Sequence, residues 1–160
     1  MTDELLIRPA EVRDAPAMTD LLNAIIAKGG TTAHRRPFDI DGMIAHYISP
    51  PRAICCHVAE RGGTILGFQA LEWTDPDWSG ANPLPADWAV IATFVAIGAQ
   101  GGGIGGRLFA ATHTAARQAG VAVIDATIRR ENRGGLAYYA RMGFEDYWSD
   151  EQVIAKKRVV

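Results

Sequence analysis

Between Gln100 and Gly106 the chain reads Gln-Gly-Gly-Gly-Ile-Gly-Gly, flanked by an apolar run, Ala89 to Ile97, and a helical pattern, Ile104 to Ala119. Glycine reaches backbone angles that other residues avoid and lets a ligand approach the main chain. The first N–H groups of the following helix have no partner within the helix and carry the positive end of its dipole. A strand, glycine turn and helix in this order can therefore cradle a phosphate or a pyrophosphate. The same glycines also serve in plain strand-to-helix connectors.

Other side chains with chemical potential are scattered. His46, His57 and His113 lack metal-ligand spacing, so no metal site is expected. No Ser-His-Asp pattern stands out. Cys55 and Cys56 are adjacent, which disfavours a mutual disulfide and predicts buried thiols in a reducing compartment. Asn132 follows an apolar run and reads as a helix N-cap or as a ligand contact.

These residues need a scaffold, and the patterning supplies one. Leu5 to Arg8 predicts a strand ended by Pro9. Asp14 is a candidate N-cap for a helix through Leu21, Leu22, Ile25 and Ile26, stopped by Gly29-Gly30. Asp39 or Asp41 predicts a second helix through Met43, Ile44 and Tyr47, closed by Ser49-Pro50-Pro51. Ala53 to Glu60 and Thr64 to Trp73 form a hairpin about Arg61-Gly62-Gly63. Thr74 to Asp87 is long and aromatic, as lids are. After the Ala89 strand and its helix come a strand from Val121 to Ile128 and a helix from Leu136 to Met142. A strand from Phe144 to Trp148 then resumes near Val153. One mixed sheet with helices on both faces, in a single domain over residues 1–160, accommodates this order.

Composition narrows the partners. The chain has 160 residues, 48% hydrophobic and 21% charged, enough for one buried core. A net charge of -2 argues against nucleic acid. No apolar run approaches the roughly 20 residues that span a bilayer. The acidic start, Met1 to Glu4, lacks the basic segment of a signal peptide, so a cytoplasmic protein is expected.

Two readings of the glycine turn compete. Gly101 to Gly106 satisfies G-x-G-x-x-G, and Asp125 lies near the distance of a ribose-binding acid. Against a dinucleotide fold, Asp125 sits mid-strand and too few strand–helix units follow. Read from Gln100, the pattern Gln-x-x-Gly103-x-Gly105 resembles the pyrophosphate loop of the GNAT family of N-acetyltransferases. Asn132, then Ala137-Tyr138-Tyr139-Ala140-Arg141-Met142-Gly143-Phe144, resembles that family's closing signature. Ile7-Arg8-Pro9-Ala10 and Asp14 resemble its opening. Asn23-x-x-Ile26, with Thr31-Thr32 before Pro37-Phe38, resembles the branch that acetylates phosphinothricin and free amino acids.

This resemblance implies the GNAT acyl-CoA N-acyltransferase fold, of α/β (mixed α+β) class. Its single central sheet is mixed, mostly antiparallel and splayed at the cofactor site. It implies acetyl-CoA as co-substrate and direct attack by a primary amine of a small molecule, such as an amino acid. The diphosphate would sit on Gly101, Gly102, Gly103, Ile104, Gly105 and Gly106 beside Gln100. The pantetheine arm would run along Val95 and Ile97 and meet Asn132. Tyr139 would be the general acid for the departing sulfur. The branch's strand glutamate is missing from Val90 to Phe94, so Glu72, then Asp87, become the candidate bases. Arg35 and Arg36, beside His34, would face an anionic acceptor, and Trp73, Trp78 and Trp88 could wall its pocket or form a homodimer contact. A non-catalytic acyl-CoA-binding module and a protein N-acetyltransferase are the alternatives.

Overall fold

A computed structural model describes residues 4–160; the acidic start at 1–3 lies outside the described residues. Seven strands form one sheet in the order β1-β2-β3-β4-β5-β7-β6. They are β1 (Leu6–Pro9), β2 (Ala53–Arg61), β3 (Thr64–Trp73), β4 (Trp88–Val95), β5 (Val123–Arg129), β6 (Glu145–Ser149) and β7 (Val153–Val159). Every neighbouring pair is antiparallel except β4 and β5. The crossover between those two carries the main helix, as a parallel connection requires.

The period-2 alternation of the strands assigns the two faces. On one face Val58 and Phe68 pack against Met18 and Leu22 of α1 (Ala15–Lys28) and against Met43 of α2 (Ile40–Met43). On the other, Leu71, Ile124 and Ala126 meet Phe109 and Ala116 of α3 (Ile104–Ala119) and Tyr139 of α4 (Arg133–Arg141). Cys56 is buried and Cys55 half-buried. Burial pushes the two thiols up, to about 11 for Cys55 and about 12 for Cys56, so both stay protonated at neutral pH.

The feature that positions the site is a fork. β4 and β5 pair only at Trp88, Ala89 and Val90, opposite Val123, Ile124 and Asp125. β4 then continues to Val95 and β5 to Arg129 with no pairing between them. β3 stays zipped to β4 along its length, from Trp73–Ala89 to Gly67–Val95.

Three sequence expectations change. The second helix is one α turn, capped by Asp39 through the Gly42 N–H at 2.6 Å, and Ile44–Ile48 continues as a wider π turn. Asp14 precedes α1 without capping it; its carboxylate is gripped by both Arg8 Nη atoms at 2.8 Å and by the Glu11 N–H. The loop from Thr74 to Asp87 lies against β6, where Asn82 Nδ2 donates to the Tyr147 hydroxyl at 2.8 Å. It does not line the cleft described below, so a lid over that cleft is not what it forms.

Candidate active site

The glycine turn crosses the open end of the fork. Gly101 and Gly103 have φ of 87° and 77°, a region that side chains with a Cβ rarely occupy. Gly103 sits at the N-cap of α3. Among the described residues, no main-chain N–H from Gln100 to Gly106 donates to a protein acceptor. The Gln100 side chain does not reach out for a ligand. It staples the turn from within: its Oε1 accepts from the Gly98 N–H at 3.0 Å and its Nε2 donates to the Val95 carbonyl at 3.3 Å.

On the edge of β4 beyond the fork the Val95 carbonyl accepts from Gln100, while the gap-facing N–H groups of Thr93 and Val95 have no protein acceptor among the described residues. The Ala96 N–H donates to Leu66 beside β3 at 2.8 Å. Amides alternate in direction along a strand, so those of Val95 and Thr93 face the gap, while that of Ile91 belongs to the last paired rung with β5. Ile97 is exposed just beyond this edge.

On the far side of the gap, α4 starts from Asn132, whose Oδ1 accepts from the Gly135 N–H at 2.9 Å. The cap uses only the carbonyl end, which leaves the Asn132 amide Nδ2 as a donor beside the gap. Tyr138 and Tyr139 follow on the inner face of α4. The Tyr138 hydroxyl donates to the Gly105 carbonyl at 2.7 Å and accepts from Gln69 Nε2 at 3.0 Å. The Tyr139 hydroxyl lies 2.7 Å from Thr93 Oγ1, which accepts from the same Gln69 Nε2 at 2.9 Å. Burial raises both phenols, Tyr138 to about 12 and Tyr139 well above the ordinary tyrosine value. Both therefore hold their protons at neutral pH.

The chain of donors has a direction. The Gln69 amide gives its two hydrogens to Thr93 and Tyr138. Either oxygen of the Thr93–Tyr139 pair could be the donor; when Thr93 gives its hydrogen to Tyr139, the tyrosine keeps its own proton for a third atom.

A cleft of about 950 Å³ runs from the glycine turn, through the fork, to the wall made by the end of α1 and the loop after it. At that wall it is lined by Lys28, Thr31, Thr32, His34 and Tyr47. His34 Nε2 and the Tyr47 hydroxyl are 2.6 Å apart, and both rings pack on Phe94 of β4. Among the described lining residues the charged groups are cations, Lys28, Arg129 and Arg141, with no carboxylate.

The sequence-derived residues divide accordingly. Val95, Ile97, Gln100, Gly101, Gly103, Ile104, Gly105, Gly106, Asn132 and Tyr139 line one cleft, and Gly102 sits in the same turn. Arg35 and Arg36 do not line it; Arg35 turns to the Thr32 carbonyl. Trp88 lies at the closed end of the fork, packed edge-on against Tyr147 under Lys157. Glu72 pairs across strands with Val90 and so shares its face, but it does not line the cleft, and neither does Asp87. Sequence reading missed Thr93, Gln69, Tyr47 and Lys28. Thr93 and Gln69 left a usable trace, as polar residues at inward positions of apolar strands.

A forked sheet with free amides along one tine and a glycine turn at its mouth defines an acyl-CoA-binding transferase. A family model, the acetyltransferase (GNAT) domain, matches residues 52–146, and the chain belongs to that family. It is an acetyl-CoA-dependent N-acetyltransferase. The fold recurs in a GCN5-related N-acetyltransferase from Kribbella flavida, with 21% identity, 98% of each chain covered and a TM-score of 0.81. It recurs in a ribosomal-protein-alanine N-acetyltransferase from Brucella melitensis, with 22% identity, 97% of this chain and 99% of that one, and a TM-score of 0.78. The yncA product of Salmonella typhimurium, solved with its cofactor acetyl-CoA, is 18% identical over 97% of this chain and 93% of that one, with a TM-score of 0.77. No curated protein matches the chain in sequence. Among the described residues, no helix is long and apolar enough to cross a membrane, and no cluster of three or more His, Cys, Asp and Glu could hold a metal.

Proposed function

We propose that the chain is a single catalytic domain that acetylates the primary amine of a small molecule carrying a carboxylate, such as an amino acid. The observation that carries this reading is the acceptor wall of the cleft. Lys28, Thr31 and Thr32 offer a cation and two hydroxyls there, and no carboxylate lines the cleft to attract a purely cationic amine. A carboxylate-bearing amine matches that wall; a polyamine does not.

In this reading the unpartnered amides from Gln100 to Gly106 receive the diphosphate, with Arg129 and Arg141 nearby as countercharge. The free edge of β4 at Val95, with Ile97 beyond it and Asn132 Nδ2 opposite, takes the amide-bearing arm as an added strand. The gap-facing N–H groups of Thr93 and Val95 polarise the thioester carbonyl, as oxyanion donors do. The amine attacks that carbonyl directly. The carbon–sulfur bond breaks, and the thiolate takes the proton that Thr93 leaves free on Tyr139.

A two-stage assay tests this. Acetyl-CoA and CoA should raise the melting temperature and NAD(P) should not. Thiol release is then followed over free amino acids, their decarboxylated analogues and peptides. Turnover of the amino acids above their decarboxylated analogues supports the proposal. Turnover of peptides alone contradicts it.

A further inference from the structure

The acetyl transfer needs a neutral amine, yet most primary amines arrive as ammonium ions at neutral pH. The family branch that this sequence resembles places a glutamate on the central strand, and here the stretch from Val90 to Phe94 has no ionisable side chain. The two carboxylates nearest to it in the sheet are Glu72 and Asp125, the register partners of Val90 on either side. Glu72 does not line the cleft. Asp125 is 4% exposed and already accepts from Thr127 Oγ1 at 3.0 Å and from the Tyr147 hydroxyl at 2.5 Å. Asp125 has both oxygens engaged, and Glu72, although its charge reaches Tyr47, stays outside the cleft lining.

We propose that His34, held by Tyr47, is the general base that takes the proton from the acceptor's ammonium group. Both side chains line the acceptor wall of the cleft that also holds Thr93 and Tyr139, and they pack on Phe94, the residue next to Thr93. The 2.6 Å contact between His34 Nε2 and the Tyr47 hydroxyl fixes the ring in the wall, as an orienting partner fixes a catalytic imidazole. Tyr47 is buried and keeps its proton, since burial raises its phenol.

The surroundings favour a neutral imidazole. Burial lowers His34, and the neighbouring His46 lowers it further. The other ionisable groups on that wall are Tyr47 and the Lys28 cation, with Arg35 next in the chain turned away to Thr32. The nearest carboxylate, Glu72, raises the Tyr47 phenol but makes no contact with His34 and does not line the wall. The step balances as follows. One N–H bond of the ammonium breaks and one forms at His34 Nδ1, the nitrogen left open when Nε2–H donates to the Tyr47 oxygen, and the imidazolium then gives that proton to solvent. The amine lone pair forms the C–N bond as the C–S bond breaks, and Tyr139 protonates the sulfur. The second proton shed by the new amide nitrogen restores the tyrosine.

This inference rests on the small-amine reading above, so its test has one arm that needs no acceptor. In the acetyl-CoA complex, the His34 ring signal followed by NMR should titrate below the ordinary histidine value of about 6.5 and move in Tyr47→Phe. A midpoint above pH 7 overturns the proposal, whatever the amine panel returns. With the best amine from that panel, His34→Gln should lower kcat/KM about 10²-fold or more while acetyl-CoA affinity is unchanged. The wild-type acidic limb should vanish in that variant. Its rate should instead climb about tenfold per pH unit toward the pKa of the amine itself, because only the pre-existing neutral amine reacts. Tyr47→Phe should retain the limb with its midpoint moved. An unchanged profile in His34→Gln, or loss of the acidic limb in Glu72→Gln instead, overturns the assignment.

Discussion

The hydroxyls of Thr93 and Tyr139 lie 2.7 Å apart, joining the free tine of the fork to α4. Gln69 donates to Thr93, and with Thr93 in turn as donor to Tyr139 the tyrosine proton is left to the cleft. Tyr139→Phe should lower kcat by about 10²-fold or more without weakening acetyl-CoA binding. Thr93→Val removes the Tyr139 contact together with the acceptor for Gln69 Nε2 and should cost about tenfold, with Thr93→Ser restoring most of it. Steady-state rates with a parallel acetyl-CoA titration separate these effects. Equal loss of affinity in either variant would speak for a structural role.

Burial holds the Tyr139 phenol above its ordinary value, so its acid form persists well into the basic range. Turnover should show no basic limb from Tyr139 below about pH 10. A pH–rate profile in Tyr139→Phe should match wild type in shape up to that point, at a lower level.

Gly105 is where the turn and α4 meet. A Cβ there would come within 2.5 Å of the Tyr138 ring and would force apart the Tyr138–Gly105 hydrogen bond. Gly105→Ala should weaken acetyl-CoA binding about tenfold, the scale of an overpacking penalty of about 1–3 kcal/mol. Isothermal titration reads this directly. Wild-type affinity in Gly105→Ala would show that the turn tolerates a displaced Tyr138.

Local signals made much of this site legible in the sequence. The strand, turn and helix around Gln100–Gly106 are contiguous, and the structure starts and ends α3 at Ile104 and Ala119. Asn132 was readable as a cap because capping acts over three residues. What the sequence hid depends on register and docking. The closing point of the fork at Val90–Asp125 is a pairing between strands 35 residues apart. Gln69 meets Tyr138 across 69 residues. Arg35 and Arg36, whose charge is visible in the sequence, do not line the cleft. That Lys28 at the end of α1 and Thr31, Thr32 and His34 of the loop after it border the cleft is not visible there. Asp14 had the position of an N-cap but was claimed by Arg8, a stronger partner than a backbone amide.

That pairing should matter for stability. Asp14 is 6% exposed and takes a two-pronged Arg8, which Glu60 also contacts at 3.1 Å. The Arg8 hydrogen bonds hold the Asp14 carboxyl below its ordinary value. A depressed folded-state value stabilises the fold above the unfolded value of about 4, and that contribution fades as pH falls through the folded one. Asp14→Asn should cost about 3 kcal/mol at pH 7 and progressively less in acid. Urea melts at pH 7 and below pH 4 check both statements.

Lys28 tests the acceptor class. Lys28→Ala should raise KM for a carboxylate-bearing amine about tenfold and leave that for its decarboxylated analogue nearly unchanged, as loss of one charged contact would. Equal effects on both would remove Lys28 from acceptor recognition.

The main-chain amides at the mouth of the fork are the groups that would hold the diphosphate. Amide NMR of the protein titrated with acetyl-CoA reads them one by one. Amides from Gly101 to Gly106 should shift strongly and become protected from solvent exchange, together with those of Thr93 and Val95. If acetyl-CoA binds and leaves those amides unmoved, the diphosphate lies elsewhere and this assignment of the site is wrong.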